Sequence, residues 1–361
     1  MSAPTPIPVL DGHNDTLTRI RNTTAAERPS FLERSAQGHI DLPRARAGGL
    51  AGGFCAVFTP SSGERPEPVP RLDAQGRTVP GAWTVPMQRP PARRSALAYT
   101  LGVISDLLRI ERDAEGGVEV VRSVPALQAC LAEGRFAAIL HIEGAEAIDT
   151  RLEALDVLYA AGLRSLGPVW SRPNAFGHGV PFDFPGTPDV GPGLTSAGRR
   201  LVAACGRLGI LVDLSHLNAA GFADVARISD APLVATHSAA HALCASPRNL
   251  TDAQLDAIGA SGGLVGINFH VGFLRADGDA SRPTSLSEIV RHARYVADRI
   301  GIGHVALGSD FDGATMPGDL PDVTALPRLL DAFRTAGFDQ RDLERIAWRN
   351  WVRVLGETWS A

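Results

Sequence analysis

Short runs of Val, Ile, Leu and Phe recur along the chain, and most are followed by stretches whose apolar residues fall three and four positions apart. The runs predict strands at Ile7–Asp11, Gly53–Phe58, Ala137–Glu143, Arg164–Pro168, Ile210–Leu214, Leu233–His237, Leu264–Asn268 and Val305–Asp310. The amphipathic stretches predict helices at Arg94–Arg112, Val124–Glu133, Arg151–Ala161, Ser196–Leu208, Ala219–Ile228, Asp252–Ser261, Ser285–Ile300 and Val323–Ala336, with a last one from Gln340 to Leu355. Strands alternating with helices imply a parallel sheet, and eight of them fit a closed (β/α)₈ barrel. An open, doubly wound sheet is the structural alternative, but no GxGxxG follows the first strand to support a dinucleotide fold.

Two stretches break the alternation. Pro60–Pro91 is rich in proline and charge, and Ser171–Gly193 in glycine and proline. Strands resume beyond both, so neither reads as a domain linker, and residues 1–361 are expected to form one α/β barrel domain with long loop insertions. Both stretches read as barrel-top loops that shape a site. For Pro60–Pro91, disordered surface is an equally open reading.

Composition narrows the chemistry. The chain has 361 residues and is 44% apolar, enough for a sizeable core. All 35 basic residues are arginine. Without lysine there is no Schiff-base chemistry through a side-chain amine, and no carbamylated lysine can bridge two metals. The net charge of −4 and the lack of a basic run argue against nucleic-acid binding. No run of ~20 apolar residues offers a membrane span. Met1–Pro8 lacks the basic start and apolar run of a signal peptide, so the cytoplasm is the default expectation. Cys55, Cys130, Cys205 and Cys244 are widely spaced with no CxxC, and read as buried small apolar residues.

Barrel enzymes carry their chemistry at the carboxyl ends of the strands. Here the first strand ends in Asp11-Gly12-His13-Asn14-Asp15, the third in His141-Ile142-Glu143, the fifth in Asp213-Leu214-Ser215-His216, the sixth in Thr236-His237, and the eighth in Asp310-Phe311-Asp312. Histidines and carboxylates converging on one rim suit a divalent metal of zinc type. His13 and Asp15, two apart, can point the same way from extended backbone. Glu143 is the candidate for a bridging carboxylate, and His216 and His237 would complete a second metal. The eighth strand lies beside the first in a closed barrel, which brings Asp310 near His13. A carboxylate there can move a proton between a metal-activated water and the leaving amine. Asp312 is the rival, but Asp312-Gly313 reads as turn chemistry.

The stretches DGHND (11–15), HIDLPRARAGGLAGGF (39–54), IEG (142–144), GLTSAGRRLVAACGRLGILVDLSH (193–216), APLVATHSAAHALCASPRNLTD (231–252) and GSDFDG (308–313) together resemble the membrane or renal dipeptidases, peptidase family M19, of the amidohydrolase superfamily. The resemblance implies a (β/α)₈ barrel with two zinc ions per chain. His13, Asp15 and Glu143 would hold one, and Glu143, His216 and His237 the other. It implies that Arg248, in SPRN, grips the carboxylate of a dipeptide, that Asp310 is catalytic, and that the protein forms a homodimer. It also exposes two departures. Trp170 stands where many members carry a histidine that stabilises the tetrahedral intermediate, with His178 nearby as a candidate substitute. Glu146 stands at the histidine position of the family's EGGH.

The expected reaction is attack on a dipeptide's amide by a hydroxide shared between the two metals, with Asp310 carrying the proton. An N-acyl amino acid or a cyclic amide is the alternative substrate. A catalytically silent barrel acting as a scaffold is the alternative from another class, distinguished by metal content.

Overall fold

The computed structural model describes residues 7–24, 27–63 and 66–359. Met1–Pro6, on which much of the reading of the amino terminus rests, lies outside them.

Eight parallel strands, most of them separated by helices, carry the architecture: β1 (Val9–Asn14), β2 (Leu50–Phe58), β3 (Phe136–Glu143), β4 (Leu163–Gly167), β5 (Leu211–Val212), β6 (Val234–Ser238), β7 (Leu264–Ile267) and β8 (Val305–Leu307). Strands β1 to β5 pair in chain order, as do β6 to β8. Single parallel bridges join the two groups, Asp213 with Val234 between β5 and β6, and Asn14 with Phe311 just beyond β8. The circle closes into the expected barrel. Strands β5 and β8 are shorter than their apolar runs suggest. The chain beyond each bends to serve the mouth, with His216 at φ 67° and Asp310 at φ 63°, a conformation that cannot continue a strand.

Side-chain alternation splits the core in two. Along β3, Ala137 and Ile139 join Leu10, Phe54, Leu211, Val234, Leu264 and Ala306 inside the barrel. Ala138, Leu140 and Ile142 join the layer between barrel and helices, as the two-residue period of a strand requires. Trp351 plugs the inside from the carboxy-terminal helix, its Nε1 donating to Leu307 O at 3.1 Å. A π-turn at Arg345–Arg349 divides that final helical stretch into Gln340–Glu344 and Asn350–Thr358. The outer helices follow the predicted pattern. In Ser196–Leu208, Thr195 caps the start by accepting from Gly198 N, Gly209 ends it in the left-handed region, and Leu201, Val202, Ala204 and Cys205 face inward. All four cysteines are buried and free.

The two insertions are not plain loops. Val69–Leu72 and Thr78–Thr84 form an antiparallel pair, and Asp183–Phe184, from the second insertion, adds a third strand. Pro70, Pro80 and an irregular register between Pro70 and Leu72 hide the alternation from a sequence reading. The short strand Val118–Val120, also unpredicted, pairs with Phe136–Ala138. Among the described residues no helix is long and apolar enough to cross a membrane.

Candidate metal centre

The mouth of the barrel opens into a cavity of about 1490 Å³ whose lining includes Asp15, Glu143, Trp170, His216 and Asp310. Local devices place Glu143, His13 and Asp310. Glu143 follows Ile139 and His141 on the inward face of β3. His13 lies within an irregularity in the β1–β2 register between Asp11 and Asn14, the kind of local kink that re-aims a side chain. Asp310 N donates to His13 O at 2.9 Å, so the closing bond of the barrel also fixes the two residues to each other.

The side chains meet at one point. Glu143 Oε1 lies 2.9 Å from His216 Nε2, 3.3 Å from His237 Nε2 and 3.7 Å from His13 Nε2. His13 Nε2 is 3.5 Å from Asp15 Oδ2. The rings of His13 and His237 stack with centroids 3.8 Å apart. Among the described residues, the ligand atoms of His13, Glu143 and His237, and those of His13, Asp15 and Asp310, lie within 4.8 Å of one another.

Around them sits a layer of residues the sequence reading did not single out. Thr236 Oγ1 donates to Asp213 Oδ2 at 2.7 Å, and Asp213 Oδ1 accepts from Ser215 N and Thr236 N. The hydroxyl's one proton being spent there, its oxygen accepts from His237 Nδ1 at 2.8 Å. That fixes the tautomer of His237 and leaves Nε2 as a bare lone pair aimed at Glu143. Ser171 Oγ lies 2.7 Å from His216 Nδ1. Asn268 Nδ2 donates to Asp310 Oδ2 at 2.9 Å. The only sequence signal for this layer is its place at strand ends, where polar residues are many.

The electrostatics favour a cation. Burial holds His216 and His237 well below the ordinary imidazole value, helped by the charges of Arg248 and His13, so both are neutral donors of a lone pair. Burial pushes Glu143 up to about 8. It also opposes a charge on His13, but the carboxylates of Glu143, Asp15 and Asp310 outweigh it and draw His13 up to about 10. Buried His13 Nε2 and Asp15 Oδ1 have no hydrogen-bond partner. Unsatisfied donor atoms, two facing imidazole lone pairs and three carboxylates are a set that a divalent metal would satisfy.

The remaining candidates fall in different places. Arg248 is buried, its Nη2 donating to His237 O at 3.0 Å and Nη1 near Ser238 Oγ at 3.5 Å, with Nε unpartnered. Trp170 stands in the cavity wall, its ring 5.7 Å from that of His216. His178 is not among the cavity-lining residues; its carbonyl accepts from Asn218 N and its ring faces Gly191. Glu146 is tied to buried Arg172 at 2.7 Å. Asp312 accepts from Thr16 Oγ1 at 2.8 Å and His39 N at 2.6 Å and pairs with Arg19, which marks it as a brace for the turn.

Known proteins share this framework. The family model for membrane dipeptidases, peptidase family M19, matches residues 4–361. A solved metallopeptidase from Rhodobacter sphaeroides, liganded with a phosphinate mimic of the dipeptide L-Ala-D-Ala, is 47% identical, with a TM-score of 0.90 over 98% of this chain and 100% of that one. A solved family M19 metallopeptidase, dipeptidase AC, is also 47% identical, with a TM-score of 0.90 over 99% of this chain and 100% of its own. Dipeptidase verJ of Clonostachys rogersoniana is 30% identical over 355 residues, which is 97% of this chain and 84% of its own length. With its motifs, its barrel and its cluster of candidate ligand side chains in that order, this chain belongs to the membrane dipeptidase family, the metallo-dipeptidases of peptidase family M19.

Proposed function

We propose that the protein is a zinc-dependent dipeptidase acting on the peptide bond of free dipeptides. The observation that carries this reading is the position of Glu143 Oε1, within 3.7 Å of the Nε2 atoms of His13, His216 and His237. His13, Asp15 and Glu143 would hold one zinc ion, and Glu143, His216 and His237 a second, with Glu143 shared. When bound, the metals would polarise the scissile carbonyl and lower the pKa of an attacking water.

The chain's own residues do the rest. Asp310 accepts a proton from the nucleophile and returns it to the leaving nitrogen. The Asn268 amide holds one oxygen of that carboxylate. Arg248 grips the dipeptide's terminal carboxylate, a pairing suited to a guanidinium fixed by two hydrogen bonds of its own. Burial weakens the charge on Arg248, while Asp310 and Glu143 sustain it.

The test is metal analysis of the purified chain, followed by hydrolysis of a dipeptide panel and an N-acyl amino acid panel with zinc added. About two zinc per chain and turnover of dipeptides are expected. Turnover of the N-acyl compounds alone would move the substrate to another small amide, and metal-free protein inert with added zinc would end the reading.

A further inference from the structure

The cavity has two unlike walls. One is polar, with Asp15, Thr18, Asn22, Asp310 and Thr315. The other is a continuous run of aromatic rings contributed by three segments: Phe58 from the end of β2, Trp170 and Phe182 from the loop after β4, and Phe273 from beyond β7. Phe58 and Trp170 have centroids 4.9 Å apart, Trp170 and Phe182 5.3 Å, and Phe182 and Phe273 6.3 Å with planes only 7° from parallel. All four line the cavity, and Phe58, Trp170 and Phe182 are only half-buried. Apolar surface is thus left facing the space where a substrate would lie. Covering it with an apolar group is favourable.

The run touches the rest of the site at two points. Near Trp170 and Phe182 it meets the ligand cluster, with the His216 ring 5.7 and 6.2 Å away. At Phe273 it meets Arg248, whose guanidinium carbon is 5.3 Å from the ring centroid. A dipeptide with its carboxylate on Arg248 and its amide at the ligand cluster would have its carboxy-terminal residue beside Phe273 and Phe182.

The run is also braced from behind. Arg172 is fully buried and donates to Glu146 Oε1 at 2.7 Å, Ser61 Oγ at 2.7 Å and Thr59 O at 2.6 Å. Its guanidinium lies 5.2 Å from the Phe58 ring and 5.3 Å from the Trp170 ring. The segments after β2, β3 and β4 are tied through this one side chain.

We propose that this aromatic wall makes the enzyme selective for dipeptides whose carboxy-terminal side chain is large and apolar, with Phe182 a specificity-determining residue and Arg172 a positioning residue for the wall. The proposal rests on the dipeptidase reading and on Arg248 as the carboxylate clamp.

The experiment compares kcat/KM of the zinc-loaded enzyme on alanyl-phenylalanine, alanyl-alanine and alanyl-aspartate. Wild-type enzyme is expected to favour alanyl-phenylalanine. Phe182→Ala is expected to lower the alanyl-phenylalanine to alanyl-alanine ratio about tenfold, through KM rather than kcat, as one lost ring face predicts. Arg172→Lys keeps the charge beside Glu146 but not the forked contacts to Thr59 and Ser61, and is expected to lower the same ratio, again through KM, with metal content unchanged. An unaltered ratio in both variants, or a wild-type preference for alanyl-aspartate, overturns the wall and leaves the dipeptidase reading standing. Zinc-loaded wild-type enzyme inert on all three substrates overturns both.

Discussion

His216 and His237 set their Nε2 atoms 3.1 Å apart, while their Nδ1 atoms lie 2.7 Å from the Ser171 hydroxyl and 2.8 Å from that of Thr236. Two neutral imidazoles facing each other in this way offer a cation two nitrogen ligands. The hydroxyl behind His237 is what turns that ring's lone pair inward. Thr236→Val removes it at nearly constant volume, and Asp213 keeps its two backbone donors. Zinc affinity is expected to fall about 10- to 100-fold, the usual effect of losing an outer-shell partner. Competition against a chelator measures it, and wild-type affinity in the variant would show that the hydroxyl does not orient the ligand.

Asp310 is held by Asn268 and lies within reach of His13 and Asp15 without being needed to complete the cluster around Glu143. Asp310→Asn is therefore expected to retain its metal and to lose about 10²- to 10⁴-fold in kcat, the scale of a general acid–base group. Full turnover at normal metal content would falsify the proton-transfer role.

Gly313 marks how tightly the carboxylates are packed. A Cβ at this position would come within 2.1 Å of Asp15 Oδ2 and 2.6 Å of Asp310 Oδ1. Its backbone does not lie in the left-handed region reserved for glycine, so Gly313→Ala disturbs the two carboxylates more than the turn. A drop in activity of tenfold or more is expected, with a thermal midpoint within a few degrees of wild type. Activity near wild type would mean that the carboxylates move aside freely.

His292 offers a pH readout remote from the ligand cluster. It is buried, accepts from Ala240 N at 3.0 Å, and its Nε2 lies 2.9 Å from Leu274 O. Burial lowers its pKa to about 4. The unfolded chain takes up this proton near pH 6.5 and the folded chain only near 4, so the stability it contributes is complete above pH 6.5 and is lost as the pH falls between those values. The loss amounts to about 3 kcal/mol. Urea unfolding of wild type and His292→Gln across pH 7 to 4 tests this. The wild-type curve should fall more steeply, and parallel curves would remove the assignment.

The barrel and the convergence of the candidate ligands were legible because each candidate lies at or just beyond the end of an apolar run, and parallel strands bring such ends to one rim. Asp310 could be set beside His13 for the same reason. What could not be read depends on contacts between distant segments. The irregularity around His13 exists only against β2. The Thr236–Asp213 bond exists only across β5 and β6. The antiparallel strands at Val69–Leu72 and Thr78–Thr84 carry prolines that mask their period, and their third strand arrives a hundred residues later. Trp170 reads as a lone departure from a family motif until Phe58, Phe182 and Phe273 are placed around it.

The bond from Asp310 N to His13 O joins the first proposed ligand in the chain to the proposed proton carrier. On the proposed assignment, a nascent chain still lacking its eighth strand has no proton-carrying carboxylate beside the residues that would hold metal. Hydrolytic activity is therefore a reporter of ring closure itself: during synthesis or refolding it should stay silent through every partially assembled stage and switch on only when the two ends of the sheet meet.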